Sequence, residues 1–150
     1  GQICRRYQVL FHTDAAQALG KVPLDVEAMG IDLMSLTAHK IYGPKGVGAL
    51  YVRRRNPRVQ LAPQMHGGGH ERGWRSGTLN VPLIVGFARA VELAIAEQPA
   101  ETQRLTQLRE SLWQQLQQLG GIYLNGHPIK RLPGNLNLSV EGVDGQALLL

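Results

Sequence analysis

The chain has 150 residues, of which 43% are apolar, and its 16 lysines and arginines against 11 acidic residues give a formal charge of +5. No apolar run approaches the roughly 18 residues that cross a bilayer, and no charged-then-apolar leader opens the sequence. Cys4 is the only cysteine, which excludes an internal disulfide and a zinc site built on thiolates. We therefore expect a soluble cytoplasmic protein with an apolar core.

The two ends of the chain indicate a piece of a longer protein. The sequence opens without methionine and stops in the apolar run Ala147-Leu148-Leu149-Leu150, which carries no helix stop signal. Near the start, Cys4 lies in a basic, helix-like segment. We interpret its thiol as structural or merely exposed, because no activating neighbour is placed beside it.

Three short apolar runs then predict a sheet: Val9 to Thr13, Ile31 to Leu36 and Val47 to Arg53. The first gap has room for a short helix, so the first two strands can be parallel. The second gap has only ten residues, too few for a parallel crossover, so the third strand should be antiparallel. The predicted α/β sheet is therefore mixed, and ligands in such folds sit beyond the carboxyl ends of the strands.

Arginines cluster where the third run ends, at Arg53, Arg54, Arg55 and Arg58. Nucleic-acid binding is one interpretation of such a cluster. Only 5% of residues are aromatic and none interleave with the arginines, so we favour a solvated strand end or a docking surface for an acidic protein.

Helical periodicity dominates the rest of the chain. Asn80 can cap a helix that Pro99 breaks or kinks, and a second helix runs from about Thr102 to Gly120-Gly121. A strand at Tyr123, a turn at Asn125-Gly126, a strand from Asn135 to Val140 and a helix capped by Asp144 follow. We place a domain boundary near Pro99, with residues 1–98 the end of one domain and 99–150 the truncated start of a smaller one.

Lys40 and Asp14 are the strongest candidates for chemistry. Each follows an apolar strand, so an amine and a carboxylate could be delivered to the same edge of one sheet. An enzyme that holds pyridoxal 5'-phosphate needs this pair: the lysine forms a Schiff base with the aldehyde, and the acid pairs with the pyridinium nitrogen. We expect Lys40 to be buried beside His39 and Lys45, because burial favours the neutral amine.

The glycine-rich segments invite other interpretations, which we reject. His66 and His70 have the spacing of helical zinc ligands, but three glycines separate them, so we predict no metal site. The string "HGGG" is typical of an esterase oxyanion loop, yet the chain has no Gly-x-Ser-x-Gly elbow. Residues 43–48 have the spacing of a phosphate loop but lack the lysine and hydroxyl that should follow.

Long contiguous strings make the interpretation specific. The segments "HTDAAQALGKVPLD", "DLMSLTAHKIYGPKGVGALYVRR" and "QMHGGGHERGWRSGT" resemble the cofactor-binding half of a cysteine desulfurase, a class V aminotransferase relative, in the branch that supplies sulfur for iron-sulfur clusters. The resemblance implies the type I fold of pyridoxal-phosphate transferases, with a mixed, mostly parallel sheet in the large domain and an incomplete α/β small domain.

Site residues carry over by their positions in these strings. Lys40 matches the Schiff-base lysine and Asp14 the partner of the ring nitrogen, and Gln17 matches the residue that bonds the ring's phenolic oxygen. Thr37 and His39 resemble phosphate ligands, and Thr78 resembles the residue that reaches the cofactor phosphate of a second subunit in a homodimer. Arg72 and Arg75 would order the loop before Thr78. The family more often has Ser-Gly-His-Lys than Thr-Ala-His-Lys, so two added methyls should tighten the fit.

The resemblance also implies a reaction: L-cysteine gives L-alanine and an enzyme persulfide, which passes to an iron-sulfur scaffold or another acceptor for cluster assembly or thiolation. The nucleophilic cysteine and the substrate-binding arginine would lie beyond Leu150, and the ring-stacking residue before Gly1, so these 150 residues alone should be inactive. A selenocysteine lyase, an aminotransferase of the same fold, and a non-catalytic sulfur-relay or scaffold-binding module remain as alternatives. No direct nucleic-acid or membrane partner is expected.

Overall fold

The computed structural model describes residues 1–149; the predicted helix at the end of the chain includes Leu150, which lies outside the described residues. The chain divides into two compact units, Gly1–Ile95 and a second from Ala96 onward. This division is near the boundary placed at residues 98 and 99, whose assignment to two domains stays a prediction. Within residues 1–149, no helix combines the length and apolar character needed to cross a membrane.

The first unit is built on a three-stranded sheet. A short helix, α1 (Gln2–Arg6), precedes β1 (His12–Asp14), β2 (Leu33–Thr37) and β3 (Gly48–Val52), which stand in the order β1-β2-β3. β1 is parallel to β2 and β2 is antiparallel to β3. The predicted strand directions are confirmed, and the ten-residue connection indeed reverses the chain.

The first strand is shorter and less buried than predicted. It begins at His12, and the apolar side chains of Val9 and Leu10 before it are exposed rather than enclosed on both faces. β1 has β2 on one side only, so it is an edge strand among the described residues. An edge position leaves the start of the apolar run without a neighbour to bury it.

The predicted short helix between β1 and β2 is wrong, because two tight turns make this connection. Asp14 Oδ1 accepts a hydrogen bond from Ala16 N (2.9 Å), and Asp25 Oδ1 accepts two, from Glu27 N (2.9 Å) and Ala28 N (3.0 Å). Aspartate side chains that bond their own backbone two or three residues on favour turns over helices.

The sheet has one apolar and one polar face. Met34 is buried, with Thr13 beside it in register, and two adjoining core clusters pack here: Leu19, Ala38, Ile41, Phe87 and Ala90, and Ala15, Ile31 and Met34. On the other face every residue of β1 and β2 except Leu33 has a polar side chain, and His12 Nε2 lies 2.8 Å from Ser35 Oγ. This period of two puts Asp14 and Thr37 on the same polar face.

One long helix, α2 (Val81–Leu116), replaces the two predicted helices. Its start is as predicted, because Asn80 Oδ1 accepts a hydrogen bond from Leu83 N (3.3 Å). Pro99 lies inside the helix and does not end it. A proline removes one backbone donor, and the alanine, glutamate, glutamine and leucine residues around it favour helix strongly enough to continue. A 3₁₀ turn (Gln117–Leu119) and Gly120, with φ of 73°, then end the helical segment as predicted.

The second unit contains a small hairpin-like pair of strands. β4 (Ile122–Leu124) and β5 (Leu138–Val140) are antiparallel, and β5 is shorter than the predicted strand from Asn135. Asn125 Nδ2 donates to Asn137 Oδ1 (2.8 Å) and to Ser139 Oγ (2.9 Å), which ties the exit of β4 to β5. Asp144 does accept from Gln146 N (2.9 Å), but only a 3₁₀ turn (Ala147–Leu149) follows.

Candidate functional site

The predicted site residues come from one edge of the sheet. Asp14 is the last residue of β1 and pairs in register with Ser35, while Thr37 is the last residue of β2. Lys40 follows in a 3₁₀ turn, His39–Ile41. Because β1 and β2 are parallel, their carboxyl ends lie side by side, which is where ligands bind in α/β folds. The carboxylate and the amine are therefore delivered to the same edge, as the sequence predicts.

The two predicted phosphate ligands contact each other directly. Thr37 Oγ1 lies 2.9 Å from His39 Nδ1, a hydrogen bond between a strand end and the turn after it. The bond fixes the imidazole ring, and His39 Nε2 has no hydrogen-bond partner among residues 1–149. With a neutral imidazole, the bonded pair keeps one proton to donate to an anionic group: Nε2–H when the hydroxyl donates to Nδ1, or the hydroxyl proton when Nδ1–H donates to Oγ1.

Lys40 stands on the exposed side of an anchored turn. Ala38 before it is completely buried and Ile41 after it is also buried, so the turn is held from beneath. Ala38 N donates to Val47 O (3.2 Å), and Gly43 N donates back to Ala38 O (3.0 Å). The Lys40 side chain itself is exposed and has no ion pair or hydrogen bond to any residue described. The expectation that Lys40 is buried is therefore wrong for these residues.

Ala38 is closely packed beneath the turn that carries Lys40. A Cβ atom added at Gly43 would lie 3.0 Å from both the Cβ and the carbonyl oxygen of Ala38, and 3.1 Å from the Cβ of Ala90. The methyl of Ala38 thus fills space against Gly43 and α2. Packing beneath Lys40 is therefore close, and the tighter fit expected from the two added methyls stays a prediction.

Asp14 and Gln17 are exposed, and each also has a local partner. Asp14 Oδ1 accepts the Ala16 N–H (2.9 Å), so the carboxylate both shapes the turn and keeps Oδ2 available. Gln17 Oε1 accepts a hydrogen bond from Lys21 Nζ (3.0 Å), which leaves the amide nitrogen of Gln17 as a donor. Both side chains can therefore contact a ligand without breaking these bonds.

The glycine-rich loop, residues 66–78, is closed at its neck. Met65 and Arg75 form a bridge, and Ser76 N donates to Met65 O (3.1 Å). The buried Ser76 Oγ accepts from Gly69 N (3.2 Å), and His70 Nδ1 accepts from Gly77 N (3.3 Å). The loop is thus ordered mainly by Ser76 and His70, which sequence reasoning missed.

The arginines expected to order this loop contribute little. The side chain of Arg75 makes one long bond, 3.4 Å, to the carbonyl oxygen of the next residue. Arg72 has no side-chain partner among residues 1–149 and sits at φ of 62°. Thr78 follows the neck with an exposed side chain. Its contact with a second subunit stays a prediction.

The opposite end of the sheet holds an ionic network around a buried arginine, which sequence reasoning also missed. Arg53, only 3% exposed, donates through Nη1 to both oxygens of Glu27 (2.8 and 2.7 Å) and lies 3.1 Å from Asp32 Oδ1 through Nε. The hydrogen bond to Glu27 raises the pKa of Arg53 above its ordinary value, against the opposing effect of burial. The prediction of a solvated cluster therefore fails for Arg53 and holds for the exposed Arg54, Arg55 and Arg58.

A groove lies at this opposite end of the sheet. It has a volume of about 620 Å³ and is lined by Glu27, by the segment 51–55 and by Arg58. Among residues 1–149, no three histidine, cysteine or acidic side chains are grouped as metal ligands would be. The candidate site therefore rests on the convergence of polar groups at the strand ends rather than on an enclosed cavity.

Comparison with known proteins places these observations in a family. The chain is 58% identical over 151 aligned residues to the cysteine desulfurase IscS of Anaeromyxobacter dehalogenans, and 52% identical over 150 residues to that of Aeromonas hydrophila. Both alignments cover the whole chain but only 37% of each relative. The chain thus spans a little over a third of the length of these relatives.

A solved structure and a family model agree with the sequence relatives. The NifS-like protein from Rickettsia africae superimposes with a TM-score of 0.90 at 31% identity, over 97% of this chain and 40% of that one. The predicted type I transferase fold with a mixed sheet is thereby confirmed. The family model for aminotransferase class-V matches residues 1–150. This chain belongs to the aminotransferase class-V family.

Proposed function

We propose that the protein carrying this chain is a pyridoxal-phosphate-dependent cysteine desulfurase. One observation carries the proposal: a hydrogen-bonded hydroxyl and imidazole, Thr37 and His39, immediately precede Lys40 at the strand edge where Asp14 ends β1. The names of the relatives support it, since those cited are cysteine desulfurases that match the chain from end to end. Because the chain covers 37% of their length, activity is assigned to the whole protein and not to these residues alone.

The donor set fits the proposed cofactor. Asp14 offers a carboxylate that would pair with a protonated ring nitrogen, and Gln17 offers an amide hydrogen to a phenolic oxygen. The bonded pair of Thr37 and His39 would bind a phosphate group with the proton that it does not use internally, and Lys40 has an exposed amine that can bond an aldehyde. When bound, pyridoxal phosphate supplies a sink for the electron pair released as the substrate loses its α-proton.

The proposed overall reaction is the removal of sulfur from L-cysteine. The carbon-sulfur bond of the substrate breaks, L-alanine is released, and the sulfur remains as a persulfide on a cysteine of the enzyme. Lys40 is the only proposed catalytic residue in this chain, since its amine can also carry a proton at the reacting carbon. Cys4 lies in α1, away from the strand edge in sequence, so the thiol nucleophile and the arginine for the substrate carboxylate are proposed to come from other parts of the longer protein.

The proposed assembly is a cytoplasmic homodimer. The closed neck of the glycine-rich loop is followed by the exposed Thr78, whose hydroxyl would donate to the cofactor phosphate of a second subunit. An iron-sulfur scaffold or another sulfur acceptor would take the persulfide sulfur. The same site chemistry would suit a selenocysteine lyase or an aminotransferase, so the product must be measured.

Covalent trapping tests the proposal. The full-length protein is loaded with pyridoxal phosphate and reduced with borohydride, and the labelled peptide is mapped by mass spectrometry. We expect the label on Lys40 of the wild type, its loss in Lys40→Ala, and its retention in Lys45→Ala, the matched change of an exposed lysine five residues on. Alanine and sulfide formed from L-cysteine should follow the same order.

Two results would overturn the proposal. A label on a residue other than Lys40 would remove the cofactor assignment. A label on Lys40 combined with amino transfer to a keto acid, and no release of sulfur from L-cysteine, would replace the desulfurase by an aminotransferase.

A further inference from the structure

The pairing of β1 with β2 is short, although it positions Asp14 at the candidate site. It consists of three register pairs, His12 with Leu33, Thr13 with Met34 and Asp14 with Ser35. Each residue of slip would move Asp14 by ~3.3 Å along β2, and a slip of one residue would also turn it to the other face of the sheet. Placement of Asp14 relative to Lys40 therefore depends on whatever fixes this register.

A buried carboxylate holds the start of β1. Asp32 precedes β2 and is 7% exposed. Its Oδ2 accepts the backbone N–H of Phe11 (2.9 Å), while the backbone N–H groups of Asp32 and Leu33 both donate to Phe11 O (2.9 and 3.1 Å). Phe11, the residue before β1, is therefore bonded through its N–H to Asp32 and through its carbonyl oxygen to Asp32 and Leu33.

Arg53 in turn holds Asp32. Its Nε forms an ion pair with Asp32 Oδ1 (3.1 Å) while the Nε–H donates to Ile31 O (3.2 Å), and its backbone N–H donates to Asp32 O (2.8 Å). The remaining nitrogens bond the turn before β2, Nη2 to the carbonyls of Val26 (2.8 Å) and Ile31 (3.0 Å) and Nη1 to the carboxylate of Glu27. All three guanidinium nitrogens are thus engaged, and one side chain links β3, the turn and the strand start.

We propose that Arg53 and Asp32 are positioning residues that fix the register of β1 against β2 and so set where Asp14 stands relative to Lys40. The effect on catalysis rests on the proposed function. The control of the register rests only on the hydrogen bonds and the ion pair described above. Lysine could not replace Arg53, since a single ammonium cannot reach a carboxylate, two carbonyls and a second carboxylate from one planar fork.

Hydrogen exchange and cofactor absorption in the full-length holoprotein test the inference. Arg53→Met removes the buried guanidinium, and Arg54→Met makes the same change at its exposed neighbour. We expect exchange of the backbone amides in residues 9–14 to become about a hundredfold faster in Arg53→Met, equivalent to about 2.7 kcal/mol, and to stay at the wild-type rate in Arg54→Met. The visible absorption band of the bound cofactor should shift its pH midpoint in Arg53→Met only, with kcat falling more than KM changes.

A milder variant covers the case in which Arg53→Met does not fold. Asp32→Asn keeps the shape and one oxygen for the Phe11 amide but replaces the charged partner of Arg53. Asp32→Asn should show faster amide exchange in residues 9–14 and a shifted pH midpoint, both smaller than in Arg53→Met. Arg53→Lys should show both changes too, because lysine does not replace the arginine. A role in stability alone would lower the melting temperature but leave the pH midpoint of the band unchanged, and that result would overturn the inference.

The two proposals fail differently. If the wild type binds no cofactor at Lys40, the proposed function fails, while the exchange measurement still decides whether Arg53 holds the register. If Lys40 is labelled and amides 9–14 exchange equally in Arg53→Met and Arg54→Met, the register inference fails and the proposed function stands.

Discussion

The two ends of the three-stranded sheet are built in opposite ways. At one end, Arg53 pairs with both Asp32 and Glu27 and bonds the surrounding backbone, and the side chains of Arg53 and Asp32 are almost completely buried. At the other end, Asp14 and Lys40 are exposed and make no contact with each other that is a hydrogen bond or an ion pair, although their charges are opposite.

The difference shows which polar groups maintain the fold and which are available to a ligand. A buried charge must be fully paired, because an unpaired one costs several kcal/mol of desolvation. Exposed charges carry no such requirement, and a group without an internal partner can bond a ligand at little cost. Whether the charged side chains have internal partners therefore distinguishes the structural end of this sheet from the candidate active site. The size of a groove distinguishes them less clearly.

Removal of the Asp14 charge should have the largest effect and would test the ligand end of the comparison. In the full-length protein, Asp14→Asn retains an oxygen for the Ala16 amide, so the turn should form, but it loses the charge proposed to pair with the ring nitrogen. We expect kcat to fall on the order of a hundredfold or more, with the melting temperature unchanged. Asp25→Asn, the same change at another turn aspartate, should leave kcat at the wild-type value. Equal activity of the two variants would contradict the role of Asp14.

Filling the space beneath Lys40 should have an intermediate effect, which is on the stability of the fold. Gly43→Ala would place a methyl 3.0 Å from Ala38 O and 3.1 Å from the Cβ of Ala90, where backbone and core must shift. We expect a loss of about 1–3 kcal/mol in the free energy of unfolding, the usual cost of overpacking. Denaturation with urea measures it.

Two variants serve as controls for this prediction. Gly145→Ala adds a methyl with no atom within 4 Å and should be neutral. Adding Ala38→Gly to Gly43→Ala should recover part of the loss, because it removes the methyl that the new side chain meets. If the double variant is no more stable than the single one, the packing explanation is wrong.

Breaking the surface pair of Glu101 and Arg104 should have the smallest effect on stability. It shows how little an exposed ion pair contributes beside the buried one at Arg53. The hydrogen bond from Arg104 lowers the pKa of Glu101 below its ordinary value. A lowered pKa means that the interaction favours folding above the unfolded-state pKa and is lost as the pH falls through the folded-state pKa. Because Glu101 is open to solvent, Glu101→Gln should leave the melting temperature unchanged at pH 7. Carboxyl titration by NMR measures the pKa, and a large thermal shift would contradict the argument.

Sequence reasoning placed Asp14, Thr37 and Lys40 at the strand ends more accurately than it predicted the connections between strands, while their roles in a site stay predictions. Asp14, Thr37 and Lys40 could be placed because each ends or follows an apolar run, and the short gap after Leu36 fixed the direction of β3. The helix predicted before β2 was wrong because Asp14 and Asp25 bond their own backbone, a local effect that competes with periodicity. At Pro99 the opposite error occurred: a break between two helices was predicted, but the helix continues. The loss of one backbone donor did not outweigh the helix-forming residues around it.

Burial was the quantity that sequence reasoning could least supply. Arg53 stands among three exposed arginines and is indistinguishable from them by composition, yet it alone is enclosed. Its partners Glu27 and Asp32 lie 26 and 21 positions earlier, and only the reversal of the chain between β2 and β3 brings them together. Long-range pairing of this kind leaves no periodic trace in a single sequence.

The glycine-rich loop is constrained differently at its neck and at its tip. Hydrogen bonding joins Met65 and Ser76 at the neck. At the tip, a Cβ at Gly69 or Gly73 would touch nothing within 4 Å, but these residues stand at φ of 73° and 80°, where any side chain is strained. A substitution of either glycine should therefore distort the tip, while the bonded neck keeps the direction in which the chain continues to Thr78.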